Sequence, residues 1–304
     1  MTLHHITVLQ EVSIELLNIR RNGRYVDGTL GLGGHSAEIL KRLQAIQGNT
    51  GDGGLLGLDV DHRNIEEAER RLQPFGSLTR TRQVNFRGLH EALQSVGWNT
   101  VDGIVLDLGI ASSQLDDGAR GLSFIHEGPL DMRLDVRLKK TALDYLRTIS
   151  EDAFTSLLRE YGEVRFAPKL SRWILAAVAR DEIKTTTDLA MLCERAVGRH
   201  GPTHPATRTF LALRSLVNDE RGALDDFLRI APEHLNVGGR VAIISFHSIE
   251  DRQVKNAFRS LANNEASPKR FQLLTKKPIV PDDTEMKSNP RARSAKLRAL
   301  ERIS

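Results

Sequence analysis

The segment RYVDGTLGLGGHS, residues 24–36, decides the fold. It opens with a short β-rich run and passes through a glycine-rich turn into a stretch of helical period that begins at Ser36. A strand, a glycine-rich turn and a helix in this order bring backbone amides and the helix dipole to a point that a ligand can approach closely. Many such turns bind nothing, so the neighbouring segments have to be considered as well.

The same alternation of β-rich and helical segments continues as far as Leu108, which is the pattern of a parallel sheet covered by helices. Four strands and three helices are predicted. The strands are Arg24 to Asp27, Leu55 to Asp59, Thr79 to Val84 and Gly103 to Leu108, and the helices are Ser36 to Gln47, Arg63 to Leu72 and Arg87 to Val96.

The alternation stops after Leu108, and helical patterns then run to about Asn218. Strand patterns resume with the apolar run Gly239 to Phe246. We therefore predict an α/β protein in which an all-helical domain, residues 112–218, is inserted into a discontinuous sheet domain, residues 1–111 and 219–304.

Helix starts and late strands are also predicted in the second half of the chain. Thr187 can cap a helix whose first turn contains Asp188, and Pro205 suits the first turn of another helix. Another helix is predicted to begin at Ser248, where Ser248 and Asp251 form a pair that resembles a capping box. Two last strands are predicted near residues 271–274 and 293–298, where they would close the sheet.

The composition predicts a cytoplasmic protein. The chain has 304 residues, enough to bury a large core. Its only cysteine, Cys193, excludes an internal disulfide and is predicted to be a small buried residue. No basic segment followed by an apolar core opens the chain, and no apolar run is long enough to span a bilayer.

The formal charge is +4 and the isoelectric point is near 9.3, which is a weak indication of a polyanionic partner. The distribution of basic residues along the chain matters more than the net charge, because clustered cations release counterions from phosphates. Six cations crowd the C-terminal end, and they suit an RNA surface and an ordinary solvated face equally well. They are Lys287, Arg291, Arg293, Lys296, Arg298 and Arg302.

Polar and aromatic side chains are expected at the carboxyl edge of the sheet, where parallel strands end. Asp59 ends the second strand beside the glycine turn, and a carboxylate there can accept hydrogen bonds from ribose hydroxyls. Phe86 follows the third strand and Asp107 ends the fourth. These residues together have the character of a nucleoside pocket.

Asp61 and His62 allow a metal site as an alternative. A polar Asp-x-Asp-His segment next to a helix start is more typical of a solvated cap. We therefore predict no metal, and Asp59 is the better candidate ligand of a nucleoside.

Ordered blocks along nearly the whole chain resemble the MraW (RsmH) family of bacterial small-subunit ribosomal RNA methyltransferases. The chain departs from the family at Ala111–Gln114, where members often have Ser-Ser-Pro-Gln. The blocks are His5–Leu9, Asp27–Thr29, Gly33–Ser36, Asp59 with Asp61, Asn85–Phe86, Asp107–Gly109, Ser112–Asp117, Gly121–Phe124, Gly128–Arg133, His204–Phe210, Ser245–Ser248, Glu250–Arg252 and Asn289–Ser294.

The resemblance implies a class I, Rossmann-like methyltransferase sheet that binds S-adenosyl-L-methionine. It also implies that the acceptor is N4 of the decoding-centre cytidine of 16S rRNA in the small ribosomal subunit. The sequence leaves monomer and homodimer open. The implied cofactor ligands are Gly33, Gly34, His35, Asp59, Phe86, Asp107 and Gln114.

Asp107 is the predicted catalytic residue. The cytosine amine is a poor nucleophile because its lone pair is delocalised into the ring, so an acceptor must hold its N–H groups during transfer. The motif Asp-Pro-Pro-Tyr of other amino-methyltransferases is absent at this position. Arg133, Arg208 and the segment Asn289, Arg291 and Arg293 are predicted to contact RNA phosphates, and His247 to assist or to be structural.

Two other functions are compatible with parts of the sequence. A nicotinamide-dependent (NAD) oxidoreductase also combines a glycine turn with an acidic second strand, but Ser36 stands where its fingerprint needs a third glycine or alanine. The basic C-terminal end would suit an RNA-binding module with a non-catalytic nucleoside ligand.

Overall fold

The computed structural model of the chain describes residues 7–46, 53–199, 203–263 and 270–304. The chain divides into two compact units, a sheet unit formed by Met1–Gly109 with Gly222–Ser304 and a helical unit formed by Ile110–Arg221. The roles predicted for residues 1–111 with 219–304 and for residues 112–218 stay predictions. His5 and Ile6 of the family-like block, and Gln47 at the end of a predicted helix, lie outside the described residues.

A seven-stranded sheet forms the centre of the sheet unit. Its strands are β1 (Arg24–Asp27), β2 (Gly54–Asp59), β3 (Thr79–Gln83), β4 (Val101–Asp107), β5 (Leu235–Ser245), β6 (Phe271–Leu273) and β7 (Lys296–Arg302). They lie in the order β3-β2-β1-β4-β5-β7-β6. β1 to β5 pair in parallel, whereas β7 pairs antiparallel with β5 and β6.

The antiparallel β7 between β5 and β6 distinguishes this sheet from the dinucleotide-binding order. The predicted α/β class, with a Rossmann-like sheet of mainly parallel strands, is confirmed. The four strands predicted in the first half of the chain are confirmed within a few residues at their ends.

Helices account for just over half of the other described residues. In the sheet unit they are α1 (Gln10–Leu17), α2 (Gly34–Ala45), α3 (His62–Leu72), α4 (Leu89–Gln94), α12 (Ser248–Ala262) and α13 (Asp283–Ser288). In the helical unit they are α5 (Ser112–Asp116), α6 (Ala142–Thr148), α7 (Glu151–Glu160), α8 (Ala167–Ala179), α9 (Thr186–Val197) and α10 (Ala206–Asn218). The helix α11 (Glu220–Ile230) includes the boundary between residues 221 and 222. No helix in the described part of the chain has the length and hydropathy needed to cross a membrane.

The central strands are apolar on both faces, and this fixes where polar side chains can appear. In β2, Leu55 belongs to the core on one face of the sheet, and Leu56 and Leu58 belong to the core on the other. All three are fully buried. A parallel strand covered by helices on both faces has this continuous apolar pattern because neither face meets water. The polar groups of the sheet unit therefore collect where the strands end.

The helical unit has a core of its own, built from all of its longer helices. Phe210 and Leu213 of α10 are buried in it. Cys193 is also fully buried, which confirms its predicted role, and its thiol contacts Thr209 Oγ1 at 3.7 Å. Burial raises the pKa of the Cys193 thiol to about 12, so it is not a reactive thiolate.

Two predicted helix caps were wrong by one or two positions. Thr185, not Thr187, caps α9, because Thr185 and Asp188 exchange hydrogen bonds across the three-residue spacing of a capping box. Before α12 the cap is His247 and its partner is Glu250, rather than Ser248 and Asp251. The sequence allowed both registers, and the backbone path into each helix selects one.

The last strand also differs from its prediction. β7 begins at Lys296 rather than near Arg293, because residues 290–294 form a 3-10 turn instead. Within β7, Arg298 is buried and its Nε donates to Asp251 Oδ1 at 2.7 Å. Lys296 Nζ lies 3.6 Å from the same carboxylate. These two members of the C-terminal cluster therefore join β7 to α12, and the buried Arg298 belongs neither to an RNA surface nor to a solvated face.

Candidate functional site at the carboxyl edge of the sheet

The glycine-rich turn links β1 to α2 and is shaped by residues that adopt left-handed backbone. Gly31 has φ 50° and Gly33, the N-cap of α2, has φ 76°. A side chain at either position would be strained, which explains why the turn needs glycine. Gly33 N donates to Leu30 O at 2.8 Å, and Leu30 N donates to Leu58 O at 2.8 Å. The turn is thereby tied to β2 with the first amides of α2 close to the sheet edge.

Asp59, the last residue of β2, holds this turn from the side. Its Oδ2 accepts hydrogen bonds from Gly31 N at 2.8 Å and Asn64 Nδ2 at 3.2 Å, and its Oδ1 accepts one from Asp61 N at 2.9 Å. A carboxylate has about four lone-pair positions, so one on Oδ1 is left for a ligand. Burial raises the pKa of Asp59.

Asp61 has a structural role. It is the N-cap of α3, and its Oδ1 accepts a hydrogen bond from Arg63 N at 3.1 Å. Its side chain is buried rather than solvated as predicted. His62, in contrast, is exposed.

Asp107 ends β4 and is the most unusual carboxylate of the edge. Its Oδ1 is buried without a hydrogen-bond partner among the described residues. Its Oδ2 lies 3.9 Å from Nδ1 of the buried His35. The backbone N of Asp107 donates to Thr29 Oγ1 at 2.6 Å, which fixes the end of β4 against the glycine turn. Burial, together with the nearby Asp27 and Glu250, raises the pKa of Asp107 well above its usual range.

Asp27 is a site residue that the sequence analysis did not single out. It is fully buried at the end of β1, where Oδ2 accepts from Ser36 Oγ at 2.7 Å and Oδ1 from Thr29 N at 3.3 Å. Burial raises its pKa to about 6. The sequence contains one indication of this role, because Asp27 and the hydroxyl residue Ser36 stand at the two ends of the glycine-rich turn.

Stability is expected to report the raised pKa of Asp27. Its pKa is about 6 in the folded chain and about 3.9 in an unfolded one, so the folded state binds more protons between these values. The contribution of Asp27 to the free energy of unfolding of the wild type should therefore fall by roughly 2–3 kcal/mol as the pH rises from 4 to 7. In Asp27→Asn that loss should be missing.

Urea unfolding of both proteins at pH 4 and pH 7 measures this difference. Asp107 titrates in both proteins, and Asp27 helps to raise the pKa of Asp107. The change in the gap between the two proteins therefore measures the titration of Asp27 together with its effect on Asp107. A gap that stays constant over this pH range would contradict the burial of a titrating carboxyl at this position.

Phe86 lies at the edge as predicted, next to the end of β3. Its ring is half-buried and packs edge-on against Phe227, with ring centroids 5.7 Å apart. Asn85 caps the short turn that carries it, accepting from Arg87 N at 3.0 Å. One part of the Phe86 ring therefore packs in the core, while the rest is exposed at the surface of the sheet unit, where a ligand can contact it.

The half-buried His247 and the buried Glu250 form a polar pair after β5. Glu250 Oε1 lies 2.8 Å from His247 Nε2, and Glu250 Oε2 accepts from Phe246 N at 3.0 Å. His247 is therefore a capping residue in this structure, and its predicted contact with substrate stays a prediction. Glu250 was missed as a neighbour of Asp107 because the two are far apart in sequence.

Three predicted site residues belong to the helical unit. Gln114 is buried, and its Oε1 accepts from Ala111 N at 2.9 Å, so it orders its own loop. Arg133 forms a two-pronged pair with Asp131, at 2.7 and 2.8 Å, and its Nη1 donates to Leu138 O at 2.8 Å. Arg208 is exposed, and its Nη1 donates to Glu163 O. Their roles toward cofactor or RNA stay predictions.

The last predicted group lies on the 3-10 turn before β7. Arg291 and Arg293 are exposed and Asn289 is half-buried. This turn also follows α13, whose Glu285 accepts a hydrogen bond from Leu9 N at 2.7 Å. Contact of these two arginines with RNA phosphates stays a prediction.

In the sheet unit, the structure thus places the predicted residues Gly33, Gly34, His35, Asp59, Phe86 and Asp107 at the strand ends and the glycine turn. Three of the carboxylates there, Asp27, Asp59 and Asp107, have pKa values raised chiefly by burial. Such a group favours a ligand that carries positive charge and several hydrogen-bond donors.

Comparison with known proteins agrees with the resemblance. The MraW methylase family matches residues 2–303 of the chain. Ribosomal RNA small subunit methyltransferase H of Clostridioides difficile (strain 630) is 40% identical over 319 residues, with 100% of both chains covered. The proteins of the same name from Carboxydothermus hydrogenoformans and Geotalea uraniireducens are each 42% identical, over 317 and 314 residues, with at least 99% of every chain covered. This chain therefore belongs to the MraW methylase family.

Proposed function

We propose that this protein is an S-adenosyl-L-methionine-dependent methyltransferase that modifies small-subunit ribosomal RNA. More specifically, we propose that it methylates N4 of the decoding-centre cytidine of 16S rRNA within the small ribosomal subunit, in the cytoplasm. The observation that carries the proposal is Asp107, whose buried Oδ1 has no hydrogen-bond partner among the described residues. Membership of a methylase family and the names of the relatives support the substrate class.

The residues at the sheet edge fit S-adenosylmethionine. The acceptor left on Asp59 suits a ribose hydroxyl, and the left-handed glycines let the ligand approach the backbone of the turn. The raised pKa values show that burying these carboxyls is costly, and a cationic ligand offsets that cost. Phe86 offers part of an aromatic ring for an adenine.

When bound, S-adenosylmethionine supplies an electrophilic methyl group on a positively charged sulfur. The work of the chain is to hold the acceptor amine in line and to receive its proton. Asp107 Oδ1 is the atom suited to accept an N–H of that amine, because no hydrogen bond among the described residues uses it. A raised pKa brings the carboxylate closer to the operating pH, where proton transfer is most efficient.

The two alternatives lose their support. A nicotinamide-dependent oxidoreductase would need a different strand order, since β7 lies antiparallel between β5 and β6. An RNA-binding module with a non-catalytic ligand would not need an unsatisfied buried carboxylate, which costs stability without a role in chemistry.

The proposal is tested by methyl transfer. Purified protein is incubated with methyl-labelled S-adenosylmethionine and small ribosomal subunits from cells that lack this protein, with large subunits as the control. We expect label in 16S rRNA alone, recovered after digestion as N4-methylcytidine. Label on another nucleoside would overturn the N4 assignment, and cofactor binding without label in any RNA would overturn the substrate class.

A further inference from the structure

One face of α8, in the helical unit, carries large exposed aromatic side chains. Phe166 is 44% exposed just before the helix, and Trp173 is 39% exposed two turns later. Most aromatic residues of this size are buried. The opposite face of α8 explains how the rings stay in place, since Leu170 and Ile174 are fully buried in the core of the unit. The rings are therefore presented on a rigid support.

Cations lie among these rings. The Arg165 guanidinium lies 5.4 Å from the centre of the Phe166 ring, and Lys169 Nζ lies 5.1 Å from the centre of the Trp173 ring. Arg172 is exposed beside them, with its Nε 3.3 Å from Glu151 Oε1. From Val164 to Arg180 the sequence contains no Asp or Glu. We call Arg165, Phe166, Lys169, Arg172 and Trp173 the α8 surface.

The spacing puts these side chains together. Phe166, Lys169 and Trp173 are three and four residues apart, so they share one side of the helix. About 10 Å of helix axis separates the two aromatic positions, which is more than the distance between stacked bases. Each ring is thus suited to a base of its own, with cations between them.

We propose that the α8 surface binds unpaired RNA, with bases stacked on Trp173 and Phe166 and with Arg165 and Lys169 on the phosphates. Aromatic rings interleaved with cations are the arrangement by which proteins hold single strands without reading their sequence. This inference rests on the proposed function, because it takes small-subunit RNA as the substrate. It adds a second contact that none of the family-like blocks contains.

Charge and ring geometry favour RNA over a protein partner. An apolar protein contact would leave Arg165 and Lys169 desolvated beside it, whereas a nucleic acid supplies a phosphate for each. A cation already placed over a ring can turn to a phosphate while a base takes its position on the ring face. Association with another protein is therefore the competing result that the experiment has to exclude.

Tryptophan fluorescence gives a direct test with the full chain. The protein has two tryptophans, and Trp98 is only 4% exposed, under the guanidinium groups of Arg24 and Arg80. Single-stranded polyuridylate is expected to quench the emission of Trp173, and an RNA duplex is expected to quench it much less. In Trp173→Ala the remaining emission should not respond to either RNA.

Affinity for small-subunit RNA gives the second measurement. Trp173→Ala is expected to weaken binding about tenfold, and Trp173→Phe to restore most of it, because a smaller ring still stacks. Lys169→Glu should also weaken binding and reduce its salt dependence. Met191→Ala on α9 is the matched control, since Met191 is 57% exposed in the same unit and is not part of the α8 surface.

The outcomes separate this inference from the proposed function. If the wild type methylates small subunits but Trp173→Ala binds their RNA as tightly as Met191→Ala does, the α8 surface is not an RNA contact. The same holds if Trp173→Ala changes only self-association in sedimentation. If the wild type neither binds nor methylates this RNA, the proposed function fails, and the α8 inference fails with it.

Discussion

An Asp107→Asn enzyme is expected to bind S-adenosylmethionine but to transfer its methyl group about 100- to 10,000-fold more slowly than the wild type. Asparagine keeps the shape of the side chain but cannot take up a proton. The loss should appear in kcat, because Asp107 Oδ1 is proposed to accept an N–H of the amine during transfer. Single-turnover methylation of small subunits, with calorimetry of cofactor binding, separates the two effects.

The pH dependence of the reaction should change in the same variant. Only the ionised form of Asp107 can accept a proton, so the wild-type rate should rise with pH as this carboxyl ionises. Because burial, Asp27 and Glu250 raise its pKa, this rise should lie at higher pH than for an ordinary aspartate. The Asp107→Asn enzyme should lack this rise altogether.

The stability of the Asp107→Asn variant distinguishes a lost catalytic group from misfolding, because a misfolded variant would be less stable than the wild type. A buried carboxylate with an unsatisfied oxygen costs free energy, so Asp107→Asn should be more stable than the wild type at neutral pH while being less active. Asp102→Asn is the control on the same strand. Asp102 accepts hydrogen bonds from Arg24 N and Asn236 Nδ2 at the other end of β4. Its replacement should leave the rate nearly unchanged, and a wild-type rate in Asp107→Asn would refute the assignment.

Asp59→Ala is expected to weaken cofactor binding by roughly 10- to 100-fold. The substitution removes the acceptor proposed for a ribose hydroxyl. It also frees Gly31 N, Asp61 N and Asn64 from the carboxylate, so the glycine turn loses the contacts that hold it beside β2. Calorimetry of S-adenosylmethionine binding to the folded variant measures the effect.

Asp61→Ala is the matched control for this prediction. Asp61 is a buried carboxylate two residues away, but its hydrogen bond to Arg63 N serves as a helix cap. Its loss should cost about 1 kcal/mol of stability and change cofactor affinity little. Equal losses of affinity in both variants would show that Asp59 acts only by ordering the turn, and the proposed ribose contact would be wrong.

The sequence by itself determined the order of the strands and helices in the first half of the chain. Its apolar runs are short, continuous and separated by helical periods, and such runs have few alternatives to a parallel sheet. It also determined that Asp59 and Asp107 end their strands and that Phe86 follows another strand. These properties are local, since each depends on residues next to one another in the chain.

Only the tertiary structure decided which of the charged groups are exposed and which are paired. Arg298 and Asp251, 47 residues apart, form a buried pair. Asp27 and Glu250 lie close enough to Asp107 to raise its pKa. Thr185 rather than Thr187, and His247 rather than Ser248, cap their helices because the incoming backbone fixes the register. Burial and charge–charge distance depend on how distant segments pack, and no local pattern in the sequence records that packing.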